Sequence, residues 1–390
     1  MPTIFQKVEI DKTVYELALE RLERVYELHD NVIVSFSGGK DSTALLNLTI
    51  EVATTLKKLP VDVVFWDEEA IAPETHDYVN RVRQRDDVNL RWLAVPVTHR
   101  NGCSTTSPYW YPWAEEDRDL WVRDMPEWAE KSLPGNKRHI IPAANGLLVP
   151  RDGKVTAVLT GVRADESVNR YRSVAMRTTN NWFTPDPYAK GSVVLAKPIY
   201  DWRTIDVWVG PHEFGWDYNR AYDLYDKAGI SPSQQRVAPP YGEQPMKSLW
   251  MYQVCHPELW DKMVSRVPGA ATAARYAQTE MYGMGTLGRE MRPPDGMTWE
   301  EGIRYYISRH PDYVQAQIAN RLKGFMATHQ RLAKRAIPDI VPDPITGLSW
   351  RFMLRTALRG DLKGRDDPSF QISNDGIREA TAEAAEEGRY

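Results

Sequence analysis

Cysteine is scarce. Two residues, Cys103 and Cys255, in a chain of 390 cannot build a disulfide scaffold, a four-thiolate zinc site or a cysteine-ligated iron–sulfur cluster within one chain. Excess positive charge is missing too. Lys and Arg number 49 against 53 Asp and Glu, a net charge of −4, so no global basic field draws the protein onto nucleic acid or anionic lipid. A local basic pocket is still compatible with that balance. No apolar stretch approaches the length that spans a bilayer, and the opening MPTIFQKVEIDKTVYELALE carries acidic residues where a signal peptide needs an apolar run. The expectation is a soluble, cytoplasmic protein with no membrane partner. No internal repeat is visible. What is present is ordinary globular composition, 42% hydrophobic and 26% charged, which excludes wholesale disorder and collagen-like or low-complexity designs. The length suits one large domain or two ordinary ones.

The order of the apolar residues supplies the fold class. Val14, Leu17, Leu22, Val25 and Leu28 recur at helical spacing, predicting an amphipathic helix over residues 11–30. The β-branched run Asn31–Phe36 is too short for a helix and reads as a strand, followed at once by Ser37-Gly38-Gly39-Lys40-Asp41-Ser42. A helix over Thr43–Lys58 is stopped by Pro60. A second strand over Val61–Trp66 ends in Asp67-Glu68-Glu69. Pro73 opens a helix that runs to Asp86, and a third strand covers Val88–Val97. Residues 98–150 read as an irregular insertion rich in aromatics, including Tyr109-Trp110-Tyr111-Pro112-Trp113. Strand patterns return at Val155–Thr160 and Ser192–Lys197; beyond them the chain is mainly helical to about Asp339.

Strands alternating with helices predict an α/β fold, a doubly wound and mainly parallel sheet, with an additional mainly helical carboxyl-terminal region. The expected division is an α/β domain over 1–200, the helical region over 201–379 and a polar, flexible tail over 380–390. In such sheets ligands bind beyond the carboxyl ends of the strands. That rule puts the Ser37–Ser42 loop, Asp67–Glu69 and the loop after Val97 on one rim.

The Ser37–Ser42 loop sits between a buried strand and a helix, and its chemistry follows from position. A helix amino terminus offers N–H groups without partners and a partial positive charge. Gly38 and Gly39 let the backbone approach an anion and allow positive φ. The hydroxyls of Ser37 and Ser42 and the Lys40 ammonium add donors, so a pyrophosphate fits. A serine-capped turn that merely starts a helix is the plain alternative. The loop is not a Walker A loop, which needs glycine where Val34 stands and Ser or Thr where Asp41 stands.

Instead SFSGGKDST, beginning at Ser35, resembles the pyrophosphate-loop (PP-loop) signature of the adenine-nucleotide α-hydrolase superfamily. That group includes N-type ATP pyrophosphatases, ATP sulfurylase and phosphoadenylylsulfate (PAPS) reductase. VVFWDEEAIAPETHDYV and TGVRADESVNRYR resemble the second-strand motif and the G-x-R-x-x-E-S element of the PAPS reductase-like branch. LAVPVTHRNGCSTT, DLWVRDMP, KPIYDWRTIDVW and the span from Tyr218-Asn219 through AGISPSQQRVAPPYG resemble an immunoglobulin-binding regulator A-like subgroup. The resemblance implies binding of ATP or a related adenine nucleotide by Ser35, Ser37, Gly38, Gly39, Lys40, Asp41, Ser42, Asp67, Gly161 and Arg163. It also implies Lys40 and Asp41 in catalysis, and Mg²⁺ held weakly by Asp41 through the nucleotide.

Other candidates carry less. Arginine supplies a planar fork suited to phosphate or sulfate, which makes Arg170, Arg172 and Arg236 candidates for a second substrate, with Glu166 orienting an arginine or a metal. A solvated charged turn is the alternative. Asp67 and Glu68 could hold nucleotide hydroxyls or hydrated Mg²⁺, or, like Glu69, simply be solvated. The Tyr109–Trp113 run suits packing better than base stacking. Gly283-Met284-Gly285-Thr286-Leu287-Gly288 is a literal G-x-G-x-x-G but follows a helical stretch and not a strand. His99 with Cys103, and Cys255 with His256, lack zinc-finger spacing, so zinc is not expected.

Three functions stay open. One is an enzyme that cleaves ATP at the α-phosphate, adenylylating a second substrate and releasing pyrophosphate. Another, implied by the subgroup, is a nucleotide-binding regulator or assembly component acting with a ParB-like partner; the sequence itself shows no nucleic-acid binding. The last is a sulfonucleotide reductase. It is disfavoured because Cys255 is the final thiol and no carboxyl-terminal cysteine follows it.

Overall fold

Alternation of side chains along the strands decides how the layers form. The structure, a computed structural model, describes residues 10–104, 106–134, 138–167, 170, 171, 174, 182–232, 235–242, 245–276, 291–361 and 366–371. Six strands, β1 (Asn31–Phe36), β2 (Val61–Trp66), β3 (Val88–Leu93), β4 (Thr156–Thr160), β5 (Phe183–Pro185) and β6 (Val193–Ala196), make one sheet in the order β3-β2-β1-β4-β6-β5. Every pairing is parallel except that of β5 with β6. Val32, Val34 and Phe36 share one face with Val63 and Phe65, and there they meet Leu22, Leu45, Leu48 and Tyr78. These come from α1 (Val14–Leu28), α2 (Lys40–Thr55) and α3 (Pro73–Arg83). Ile33, Val64 and Trp66 point the opposite way, onto Ala144 and Ile141 of α4 (Ile141–Leu148). Helices on both faces make the sheet doubly wound, as the alternation predicts.

Two local findings refine the expectation. The first helix starts at Val14 because Thr13 and Glu16 form a reciprocal capping box: Thr13 Oγ1 accepts the Glu16 N–H and the Glu16 carboxylate accepts the Thr13 N–H. Within residues 98–150, expected to be irregular, lies α4. Its sequence IPAANGLL has too few polar residues for a helical period to show.

The chain divides into two compact units, Met1–His99 with Tyr109–Ala270, and Arg100–Pro108 with Ala271–Tyr390. Residues 201–270, assigned from sequence to the helical region, pack in the first unit. They form α5 (Thr204–Glu213), α6 (Ala221–Lys227), α7 (Met251–Cys255) and α8 (Pro257–Arg266). Trp202 and Val207 enter the core of α1 and α2, while Tyr222, Tyr225 and Met251 gather around Ala72. The second unit, by itself, packs α9 (Trp299–Ser308), α10 (Asp312–Leu332) and α11 (Trp350–Arg359), the last of which ends on Gly360 at φ 82°. No helix among the described residues is long and apolar enough to cross a membrane. The expected tail at 380–390 and the Gly283–Gly288 motif lie outside the described residues.

One buried ion pair fastens the first unit beyond β2. Glu69, fully buried and at φ 62°, accepts from Arg266 Nε at 2.7 Å and Nη2 at 3.0 Å. The same carboxylate accepts the N–H groups of Trp113 at 2.8 Å and Val122 at 3.1 Å, so no lone pair is stranded. Arg266 also donates to the Tyr111 carbonyl at 2.7 Å and to Asp117 at 3.2 Å. Taking one partner from such a pair leaves the other charged and buried. Arg266→Ala is therefore expected to cost about 3–5 kcal/mol, read as a lower midpoint in urea; a shift worth less than about 1 kcal/mol would mean the pair is a minor support.

Candidate functional site

β1 stops at Phe36 and α2 begins at Lys40, so three residues turn the chain. Ser35 lies in the strand beneath them, in register with Val64 of β2 on one side and Thr160 of β4 on the other. Gly38 takes φ +69°, and a Cβ there would lie 3.0 Å from Val79 Cγ2. At Gly39 a Cβ would be 3.2 Å from Val237 Cγ2 and 3.4 Å from the Tyr222 hydroxyl oxygen. Gly38 is thus demanded by its positive φ, whereas a Cβ at Gly39 would only crowd its side-chain neighbours. The serines shape it from inside. Ser37 N–H donates to Ser42 Oγ at 3.2 Å, Ser42 Oγ donates to the Gly39 carbonyl at 3.0 Å, and Gly39 N–H reaches Ser37 Oγ at 3.4 Å.

The N-cap residue of α2, Gly39, has no side chain to offer it. Among the described residues, the N–H groups of Gly38, Asp41 and Ser42 have no hydrogen-bond partner. Three open amides at the start of a helix, beside a lysine, have the donor chemistry to take an anion.

The charges around the loop are arranged in two layers. Lys40 Nζ is mostly buried, 3.7 Å from the Asp41 carboxylate and 5.4 Å from the Tyr222 ring centroid. Burial is the main influence pushing its pKa down; Asp41 opposes that shift, and the Arg163 and Arg236 cations add to it. The charge of an arriving phosphate would offset these influences by favouring the ammonium form. Behind this layer, Arg163 is 2% exposed and donates from Nε to Asp41 Oδ1 at 2.6 Å, from Nη1 to the Trp202 carbonyl at 3.3 Å and from Nη2 to Thr204 Oγ1 at 3.4 Å. Arg163 does reach the loop, but as a brace with its fork engaged by protein. Gly161 stands against the same backbone: a Cβ there would sit 3.0 Å from Asp41 C and from Ser42 N.

The remaining candidates separate. Arg236 is exposed and close enough to Lys40 and Tyr222 to influence both. Glu166 pairs with Arg170 and lies 3.9 Å from Arg163, so the G-x-R-x-x-E-S element forms a local ion network. Arg172 lies outside the described residues. Asp67, read from sequence as a nucleotide contact, is 2% exposed and already accepts from Trp92 Nε1 at 2.7 Å, Glu69 N–H at 3.0 Å and Arg123 Nη2. With three donors on it, the carboxylate anchors the end of β2. Glu68 Oε1 lies 3.2 Å from His99 Nε2. Trp110 and Trp113 are buried against Tyr241 and Trp121.

Two residues escaped the sequence reading. The Tyr222 hydroxyl accepts the Lys40 N–H at 3.0 Å, and Asn219 Nδ2 donates to the Gly38 carbonyl at 3.0 Å and to Thr75 Oγ1 at 2.8 Å. Both lie in the span that carried the subgroup resemblance, yet neither bears a charge that would mark it as a site residue.

No group of three or more His, Cys, Asp and Glu side chains among the described residues is placed to hold a metal ion. Asp41, the candidate for Mg²⁺, has Oδ1 committed to Arg163. The thiols are not activated either. Burial pushes Cys103 up to about 12, and burial and then Glu74 raise Cys255.

A mainly parallel α/β sheet whose first strand empties into this open-amide loop defines a PP-loop nucleotide-binding protein of the adenine-nucleotide α-hydrolase superfamily. The chain belongs to the phosphoadenosine phosphosulfate reductase domain family, which matches residues 31–228; a domain of unknown function, DUF3440, matches 229–334. The uncharacterized protein YbdN of Escherichia coli (strain K12) is 28% identical over 375 residues, covering 91% of this chain and 90% of the relative. Among solved structures, a PAPS reductase from Candida auris in a phosphate complex is similar at 16% identity and TM-score 0.30, over 56% of this chain and 94% of its own. Candida glabrata FMN adenylyltransferase with FMN and the ATP analog AMPCPP is similar at 11% identity and TM-score 0.31, over 56% of this chain and 60% of its own.

The contact at Gly161 yields a test. Because its neighbours are backbone atoms of the loop, Gly161→Ala must push that backbone. The variant is expected to lose about 1–3 kcal/mol of stability and to bind anions at the loop more weakly. Wild-type melting together with wild-type binding would show that the two segments are not in real contact.

Proposed function

We propose that the protein binds ATP with its terminal phosphates on the open amides of the loop and cleaves it at the α-phosphate. A nucleophilic oxygen of a second substrate attacks the α-phosphorus, the bond from that phosphorus to the bridging α–β oxygen breaks, and its electron pair leaves with pyrophosphate. The adenylyl group remains on the second substrate. The observation that supports this reading is the trio of unpartnered N–H groups beside Lys40. Charge that develops on the leaving pyrophosphate meets donors already in place, which is stabilisation by preorganisation. Lys40 supplies the mobile charge. Asp41 holds Lys40 and Arg163 in position. With Asp41 so engaged, Mg²⁺ would be carried by the nucleotide's own phosphates, and no step is assigned to it. Arg236, exposed beside the loop, is the candidate contact for an anionic group of the second substrate. The reaction as drawn suits a cytoplasmic protein, where ATP is available.

One observation favours a second reading. The single loop carboxylate is tied to arginine, an arrangement that also suits holding a nucleotide without turnover, as a regulator acting with a ParB-like partner would. Incubation with ATP and Mg²⁺ separates the two. AMP and pyrophosphate, or an adenylylated product once an acceptor is supplied, support the enzyme; stable binding of intact ATP supports the regulator.

Lys40 gives the direct check on the site. Lys40→Ala is expected to weaken ATP binding by about 10- to 100-fold, the range for a charge-assisted hydrogen bond. Affinity in the wild type should also fall as pH rises from neutral through the lowered Lys40 pKa, since only the ammonium form attracts phosphate. Calorimetric titration at several pH values would show a slope that the variant lacks. A variant with wild-type affinity and slope removes Lys40 from the site.

A further inference from the structure

Tyr222 has an unusual hydrogen-bond account. Its oxygen accepts the Lys40 N–H at 3.0 Å, and among the described residues its own proton has no acceptor. The side chain is 4% exposed. It cannot swing aside, because the ring packs edge-on against Trp208 at 5.3 Å and Tyr225 at 6.3 Å, with Val237 and Gly39 beside it. Burial holds the phenol well above its ordinary pKa, so it keeps its proton. A buried donor left unused in a protein is costly, and such a group calls for an explanation.

Position supplies one. The Lys40 N–H is at the first position of α2, so it points out of the helix end toward the space served by the open amides of Gly38, Asp41 and Ser42. A hydroxyl that accepts from a helix amino terminus is polarised by it and becomes a better donor. We infer that the Tyr222 hydroxyl donates to a phosphate oxygen of the bound nucleotide, passing the pull of the Lys40 amide to an oxygen that amide does not itself reach. This rests on the nucleotide reading above and adds a specificity residue to it. Tyr222 makes recognition of phosphate, as distinct from the nucleoside, depend on a segment 182 residues from the loop.

The alternatives predict differently. If the hydroxyl only caps α2, its removal lowers stability and leaves phosphate binding alone. If it competes with phosphate for the Lys40 N–H, its removal tightens binding. The test is calorimetric titration of the full chain and of Tyr222→Phe with pyrophosphate, ATP and adenosine. The expected result is pyrophosphate and ATP affinities reduced about tenfold, the worth of one hydrogen bond to a charged group, with adenosine affinity unchanged. Equal or tighter pyrophosphate binding by the variant overturns the inference, as does a parallel loss for adenosine. Should the variant fail to fold, the wild-type tyrosine absorption decides. Pyrophosphate is expected to produce a tyrosine difference spectrum, and a flat one overturns the assignment. A wild-type chain that binds neither pyrophosphate nor ATP sinks the nucleotide reading with it, whereas binding that is indifferent to the Phe substitution sinks the tyrosine's role alone.

Discussion

The hydrogen-bonded pair of Arg163 and Asp41 is the constraint on which the site depends. A short loop with two glycines has much backbone freedom, and its own serine hydrogen bonds are its only internal restraint among the described residues. The guanidinium removes that freedom by holding the first turn of α2 to the end of β4, with Trp202 and Thr204 fixing the guanidinium in turn. Gly161 lets the two segments approach closely enough for the bond to form. Because the arginine is buried, its attraction for Asp41 is little screened by solvent or salt. Placement of the neutral amides is thus tied to a charge whose hydrogen bonds are made to the protein.

The same division of labour recurs across the rim. The carboxylates of Asp67 and Glu69 are consumed by tryptophan, arginine and backbone donors and serve as anchors. The serine hydroxyls of the loop are spent on each other and on the loop backbone. What is left for chemistry is a helix end with open amides, a desolvated lysine and a protonated phenol. A site so composed is suited to stabilising negative charge on phosphate.

How much of this could be read from the residues alone varies with the distance over which partners act. β1 and β2 were legible because their β-branched runs end abruptly at turn residues, and the loop was legible because glycines, serines and lysine stand together in seven positions or fewer. α4 was not, since IPAANGLL has no polar face to reveal a period. Asp67 and Arg163 were correctly placed at strand ends, but their protein partners were not legible: Trp92, Arg123 and Trp202 lie tens of residues away and leave no local sign. Arg266 and Glu69 are 197 residues apart, and a buried pair looks in sequence like two ordinary surface charges. Tyr222 and Asn219 were hidden for a simpler reason. An uncharged side chain on a partly apolar helix reads as packing until its polar atom is located.

Asn219 has one more implication. Its amide ties Gly38 to Thr75, and with Gly161 and Tyr222 it means that the loop is held from two remote stretches of chain, one at Gly161 and one at Asn219–Tyr222. The geometry of the signature hexapeptide is therefore set by chain that lies far downstream of it, and a fragment holding only the first three strands would lack those supports.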